Sequence, residues 1–279
     1  MSRIFNVSYL LQTMLGVSAL HLSLEASDKA SLYKHAATVL QSQALEEFNT
    51  GVLDNVNAEN VLDVLLFQHL TALHVFCDTF TSLYVDFGEF LDKLVGCIQL
   101  LRGVNSVVQS WWQVLSRTEL GVVMEKSDAH QNSPHKDGEE CLPLFAMLDG
   151  ADLSAQSIET CRSSARQLQS YFDAENDLDE QAMSSTNMLF AWLITASPEY
   201  TILLQQRRPE ALVILAFYAI LLHRRRESWA VANSGRNLLR QIKEYLGNTW
   251  RSCLAWPCSM ISAVDDDVTS AGVLDWAKV

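Results

Sequence analysis

His74 and Asp78 stand four residues apart, and His69 lies five before His74. On a helix, the spacing of four puts an imidazole and a carboxylate on one face, where they could trade a proton as a general acid–base pair. The same spacing equally suits a histidine satisfied by its neighbours, or a surface pair facing water. Elsewhere the chain has no nucleophile elbow, P-loop, dinucleotide fingerprint or metal-binding helix, which sets aside enzymes that rely on those groups. His130 and His135, in a polar stretch with no cysteine or paired carboxylate at ligand spacing, read as solvated loop residues. Neither a metal nor a cofactor is expected.

The other chemistry-bearing set is aromatic. Phe76, Phe80, Phe87, Trp111, Trp112, Trp192, Phe217 and Tyr218 offer flat, polarisable surface of the kind that lines a site for a polycyclic or terpenoid molecule. Each of them also fits ordinary core packing.

The elements that must position these groups are helices. Apolar residues recur at helical spacing, alternating β-branched runs are absent, and proline is scarce at five residues. The pattern predicts an all-α fold. A first helix is expected over 7–24, and a second over 28–49, begun by Ser27 or Asp28 and stopped by Asn49-Thr50-Gly51. A third is capped by Asn57 or Asn60 and runs to about Phe80, carrying His74 and Asp78. A fourth runs from Phe87 to Leu101, breaks near Arg102-Gly103 and resumes through Trp111-Trp112 to Leu115. Further helices are expected near 152–172, 182–196, 209–224 and 231–247, separated by "DAENDLDE" and "TASPEY". The stretch "EKSDAHQNSPHKDGEE" (125–140) lacks periodicity and reads as a mobile loop within one domain spanning 1–279.

Within "RRPEALVILAFYAILLHRRRESW" (207–229), Ala211 to Leu222 are apolar around the whole circumference, with Tyr218 the one polar handle. Such a helix must be surrounded by others. Pro209 suits a first helical position, Glu210 complements the positive end, and His223 to Arg226 complement the negative end. The small residues Ala211, Ala216 and Ala219 permit close helix approach, or leave room for an apolar ligand.

Composition bounds partners and compartment. With 49% apolar residues the chain can fill a sizeable core, and a net charge of −13 repels a phosphate backbone, so no direct nucleic-acid contact is expected. The six cysteines match neither a disulfide framework nor a zinc-finger spacing, so they read as reduced, buried thiols of a cytoplasmic or nuclear protein. Polar residues interrupt the N-terminal apolar stretch, which reads as an amphipathic helix rather than a secretory leader. No apolar run is long enough to predict a membrane span.

The 207–229 segment, followed by "GRNLLRQIKEYLGNTWRSCLAWP" (235–257), resembles the C-terminal effector domain of the fungal sterol uptake regulators, a branch of the zinc-cluster transcription factors. "VSALHLSL" (17–24), the spacing of Ala36, Ala44, Leu45 and Phe48, "NAENVLDVLLF" (57–67) and "LLRGVNSVVQSWW" (100–112) agree in order. The resemblance implies an all-helical domain with an internal apolar pocket for a sterol-like ligand. Two positions depart from it: Phe217 stands where the family usually has histidine, and "WAVANSG" (229–235) replaces a turn rich in tryptophan and glycine. A phenyl in place of a polar pocket group would alter ligand choice, because a ligand hydroxyl would lose its partner. Regulators of the family carry a basic six-cysteine zinc segment ahead of this region, whereas here Met1 opens almost directly on it. The expectation is therefore a domain without a DNA-reading part of its own.

Three functions follow as expectations. The first is a regulatory domain that binds a sterol-like or terpenoid molecule and acts through protein partners or as a homodimer. The second is a natural-product cyclase or pericyclase, of the Diels–Alderase kind, which reuses the pocket to orient an apolar polyene; orientation accelerates such reactions without nucleophile or metal. The third is a helical scaffold that binds no small molecule. In the ligand readings the site residues are Phe76, Phe80, Trp111, Trp112, Trp192, Phe217 and Tyr218, and in the enzyme reading His74 and Asp78 are the acid–base candidates.

Overall fold

The computed structural model describes residues 6–25, 28–82, 86–118, 138–176 and 187–262. Among them there is no strand, and the protein is all-α. His130, His135 and most of the 125–140 loop lie outside the described residues, as does the end of the acidic turn. The chain divides into two compact units, residues 1–83 with 92–134, and residues 84–91 with 135–279.

The first unit contains α1 (Ser8–Glu25), α2 (Ala30–Gly51), α3 (Val61–Thr81), most of α4 (Phe87–Ser110) and the short α5 (Trp112–Leu115). α1 and α2 form a tight hairpin at Gly16, where a methyl group would sit 3.4 Å from the Ala37 carbonyl oxygen. α1 also packs on α3. The core at this end joins Tyr9, Leu10, Ala44, Phe48, Val64 and Phe67. Phe48 stacks on Phe67 with centroids 4.3 Å apart, and Tyr9 meets both rings edge-on. By length and composition alone α3 would suffice to cross a membrane, and more than half of its apolar stretch is buried inside the protein.

Two local expectations, at α2 and α4, need correction. α2 begins with Lys29 rather than Asp28 at its cap and has no side-chain cap, and it runs through Gly51, where the Val52 amide still donates to the Phe48 carbonyl. Ser27 lies outside the described residues. α3 starts after Asn60 as expected, and the Asn57 side chain caps the turn that leads into it: Asn57 Oδ1 accepts from the Glu59 amide at 2.9 Å and from the Asn60 amide at 3.3 Å, while Asn60 Oδ1 accepts from the Asn57 amide at 2.8 Å. α4 does not break at Arg102-Gly103. One interior glycine costs only about 1 kcal/mol against alanine, too little to break a helix of this length.

The second unit contains α6 (Leu142–Asp149), α7 (Ala155–Asn176), α8 (Asn187–Thr195), α9 (Pro198–Gln205), α10 (Pro209–Arg224), α11 (Ser234–Leu246) and a helical run over 255–262. α6 and α9 were not anticipated. The "TASPEY" segment, read as a separator, is the start of α9: Ser197 Oγ accepts from the Tyr200 amide at 3.1 Å, and Pro198 occupies the first turn, where its missing N–H costs nothing.

α10 is the axis of this unit. Every residue from Glu210 to His223 is buried, as the all-round apolar pattern requires, with α6, α7, α9 and α11 packed around it. α11 crosses it at Gly235, where a side chain would collide with the α10 backbone. The turn between them holds Ala232 at φ 39°, a left-handed conformation that alanine rarely adopts.

Candidate functional site

In the first unit His74 is 8% exposed and Asp78 is half-buried on the same face of α3. No hydrogen bond joins them. Asp78 is engaged elsewhere: its Oδ1 lies 3.6 Å from Lys34 Nζ and accepts from Ser82 Oγ at 3.1 Å, while Lys34 Nζ donates to Ser82 Oγ at 2.9 Å. Burial lowers the His74 pKa, and the Asp78 charge offsets only part of that, so the imidazole is neutral near pH 7. His69 lies on the exposed side of α3.

The folded state therefore binds fewer protons at His74 than the unfolded chain, whose histidine titrates near 6.5. Stability is full above that value and falls as pH drops through it toward the lower folded pKa. We expect the urea midpoint to decline between about pH 7 and about pH 5, and His74→Phe to flatten that decline. An identical slope in the variant would show that His74 does not carry the effect.

The aromatic candidates fall into both units. Phe76 and Phe80 meet in the first at 4.5 Å between centroids, on buried positions of α3. Trp111 and Trp112 are half-buried at the start of α5, where the Trp111 carbonyl accepts from the Val114 and Leu115 amides. In the second unit Trp192 is fully buried and stacks on Tyr218 at 4.9 Å, its indole N–H donating to the Ser164 carbonyl at 3.2 Å. Phe217, on the next position of α10, packs on Trp256 at 4.9 Å, and Phe172 meets Trp256 edge-on. Tyr200 completes the Trp192 cluster edge-on, with its hydroxyl donating to the Ala211 carbonyl at 2.9 Å. Burial raises the Tyr200 pKa well above the ordinary phenol range, so the ring is a neutral donor.

Trp256 and Tyr200 were not singled out from sequence. A lone aromatic in a short segment carries no periodic signal, and only the return of 255–262 to α10 reveals Trp256 as a neighbour of Phe217.

The largest omission is electrostatic. Glu175, read as part of a solvated acidic turn, is 4% exposed and accepts from Arg225 at 2.6 Å and Arg224 at 2.9 Å. Arg224 also lies over the Phe172 ring at 5.4 Å. Beside this cluster, Gln169 donates to Glu140 and Asp173, and the Gly138 amide donates to Asp173, fastening 138–141 to α7. Burial alone would raise the Glu140 pKa, but hydrogen bonds from Gln169 and Asn176, with the Arg224 charge, outweigh it and hold the carboxyl below its usual value.

The six cysteines are free thiols. Burial pushes Cys77, Cys97 and Cys161 up to about 12 and Cys141 higher, which leaves them protonated and poor nucleophiles. Among the described residues no group of three His, Cys, Asp or Glu side chains converges as a metal site would require.

No protein family, curated protein or solved structure matches this chain. What it does must be argued from its own residues.

Proposed function

We propose that the chain is a regulatory domain that takes a sterol-like or terpenoid molecule among its helices and acts through protein partners. The observation that supports this reading is the double aromatic layer along the central helix α10, Tyr218 on Trp192 and Phe217 on Trp256. Flat aromatic faces on a buried, largely apolar helix match a fused-ring or polyene hydrocarbon.

The test is to purify the full chain from a fungal host, extract it with organic solvent and identify the extract by mass spectrometry. A sterol or terpenoid retained at near one per chain is the expected result. Phe217→His should then lower affinity and shift selectivity toward hydroxylated ligands, and unchanged binding would remove this position from the site. An extract containing an acyclic precursor beside its cyclised product would instead favour the cyclase or pericyclase reading, in which the same aromatic layer orients the polyene. A chain that purifies empty and takes up no added sterol would leave a helical scaffold.

A further inference from the structure

The aromatic layer on α10 has two sides of different character. On the Tyr218 side, Trp192 and Tyr200 are wholly buried, and each is pinned by a hydrogen bond to a backbone carbonyl, at Ser164 and Ala211. On the Phe217 side, Phe217 and Phe172 are wholly buried, whereas Trp256 is only half-buried. Among these rings Trp256 alone meets solvent. Its indole covers Phe217 at 4.9 Å between centroids, tilted by 33°, and meets Phe172 edge-on at 5.9 Å. The indole N–H makes no hydrogen bond among the described residues, so ring packing rather than a directional bond holds this side chain.

The backbone beneath it is anchored separately. Leu254, Pro257 and Ile261 are buried on either side of Trp256, which lets the 255–262 run stay docked while one side chain turns. Rotation about χ1 carries an indole between staggered wells, and a ring already partly in water makes that change without unfolding its helix. Turned outward, the indole leaves its own volume over Phe217, walled by Phe172. A flat bicyclic group fits that volume, because an indole is one. A longer ligand must then part the helices further.

We propose that Trp256 is the gate of the aromatic layer: its indole occupies the place that a flat fused-ring group takes on Phe217, and the site is entered by exchange of one ring for the other. The chain thereby inhibits its own site. This inference rests on the reading of α10 as a ligand site, and adds to it the point of entry and the shape admitted there. Indole and incoming ring compete, so the observed affinity is the intrinsic one reduced by the fraction of chains whose indole is turned outward.

The experiment uses the full chain with 5-fluorotryptophan in place of tryptophan, the Trp256 ¹⁹F signal being assigned from Trp256→Phe. Naphthalene, a flat bicyclic hydrocarbon, is the probe. It should move the Trp256 signal saturably toward that of free 5-fluorotryptophan and leave the Trp192 signal in place. Trp256→Ala has no indole to displace and should bind naphthalene on the order of tenfold more tightly. A Trp256 signal unmoved at the solubility limit of naphthalene would overturn the proposal, and equal affinity in a folded Trp256→Ala would do the same. The first of these is read on the unmodified chain, so a poorly folded variant cannot obscure it. The gate and the sterol reading also fail separately. A Trp256 signal displaced by naphthalene, in a chain that neither retains nor takes up a sterol, keeps the gate and removes the sterol. A chain that holds a sterol with its Trp256 signal unshifted keeps the sterol and removes the gate.

Discussion

Gly235→Ala is expected to destabilise the second unit by about 3 kcal/mol, near the top of the range for overpacking a core. A methyl at this position would collide with the Ala219 carbonyl oxygen and lie 2.6 Å from the His223 amide nitrogen and 2.9 Å from the His223 Cβ. Two of those three atoms belong to backbone inside a helix buried on all sides, so no flexible side chain can swing away. α11 would have to lift off α10, taking Leu238, Leu239 and Ile242 from their packing. Thermal unfolding should show a drop on the order of 10 °C for a unit of this size. Gly96→Ala gives the contrast, since nothing lies within 4 Å of the added methyl on the exposed face of α4. That change should be neutral or stabilising by about 0.5–1 kcal/mol through helix propensity. Equal behaviour of the two variants would contradict the close crossing of α10 and α11.

The second large effect is expected at Glu175. Its carboxylate is buried between Arg225, whose side chain is 6% exposed, and Arg224, at 20%. Glu175→Gln keeps the shape but removes the buried negative charge that both guanidinium groups face, and removing one partner of a buried pair costs about 3–5 kcal/mol. The loss is measurable as a lower urea midpoint. Replacing Glu175 with Leu and Arg225 with Met together should recover most of it, because an apolar pair of similar volume avoids the desolvation that the ion pair must offset. If the single variant loses less than about 1 kcal/mol, the three groups are solvated and the cluster is not a buried one.

Both effects act on the placement of α10. The cluster holds the C-terminal end of that helix to the end of α7, and Gly235 sets how closely α11 lies along it. Phe217, Tyr218 and their aromatic partners are positioned by the same contacts, so a ligand entering the aromatic layer would have to shift elements held by these groups.

How far these features could be read in advance differs by residue. The wholly apolar circumference of 211–222 required a helix enclosed by others, and α10 is enclosed, because hydration cost alone decides that outcome. The capping residue around 28 was less reliable: a short polar side chain can brace a turn, cap a helix or face water, and the choice depends on contacts beyond the local segment. α6 and α9 escaped notice because eight residues hold barely two turns, too few for periodicity to separate helix from loop.

Chemistry was less legible than fold. His74 and Asp78 lie on one face as their spacing requires, yet Asp78 is held by Lys34, 44 positions away in the chain, and not by the histidine beside it. Glu175 looked like one more surface acid among 33 acidic residues, since nothing local distinguishes a carboxylate about to meet two distant arginines.

The sequence by itself determined that this protein is helical and that its most apolar segment is a helix with neighbours on every side, because periodicity and burial act residue by residue along the chain. Tertiary structure alone decided which charges pair in the interior and which glycine admits a neighbouring helix. Those outcomes depend on distances between residues remote in sequence, and a string of residue types does not contain distances.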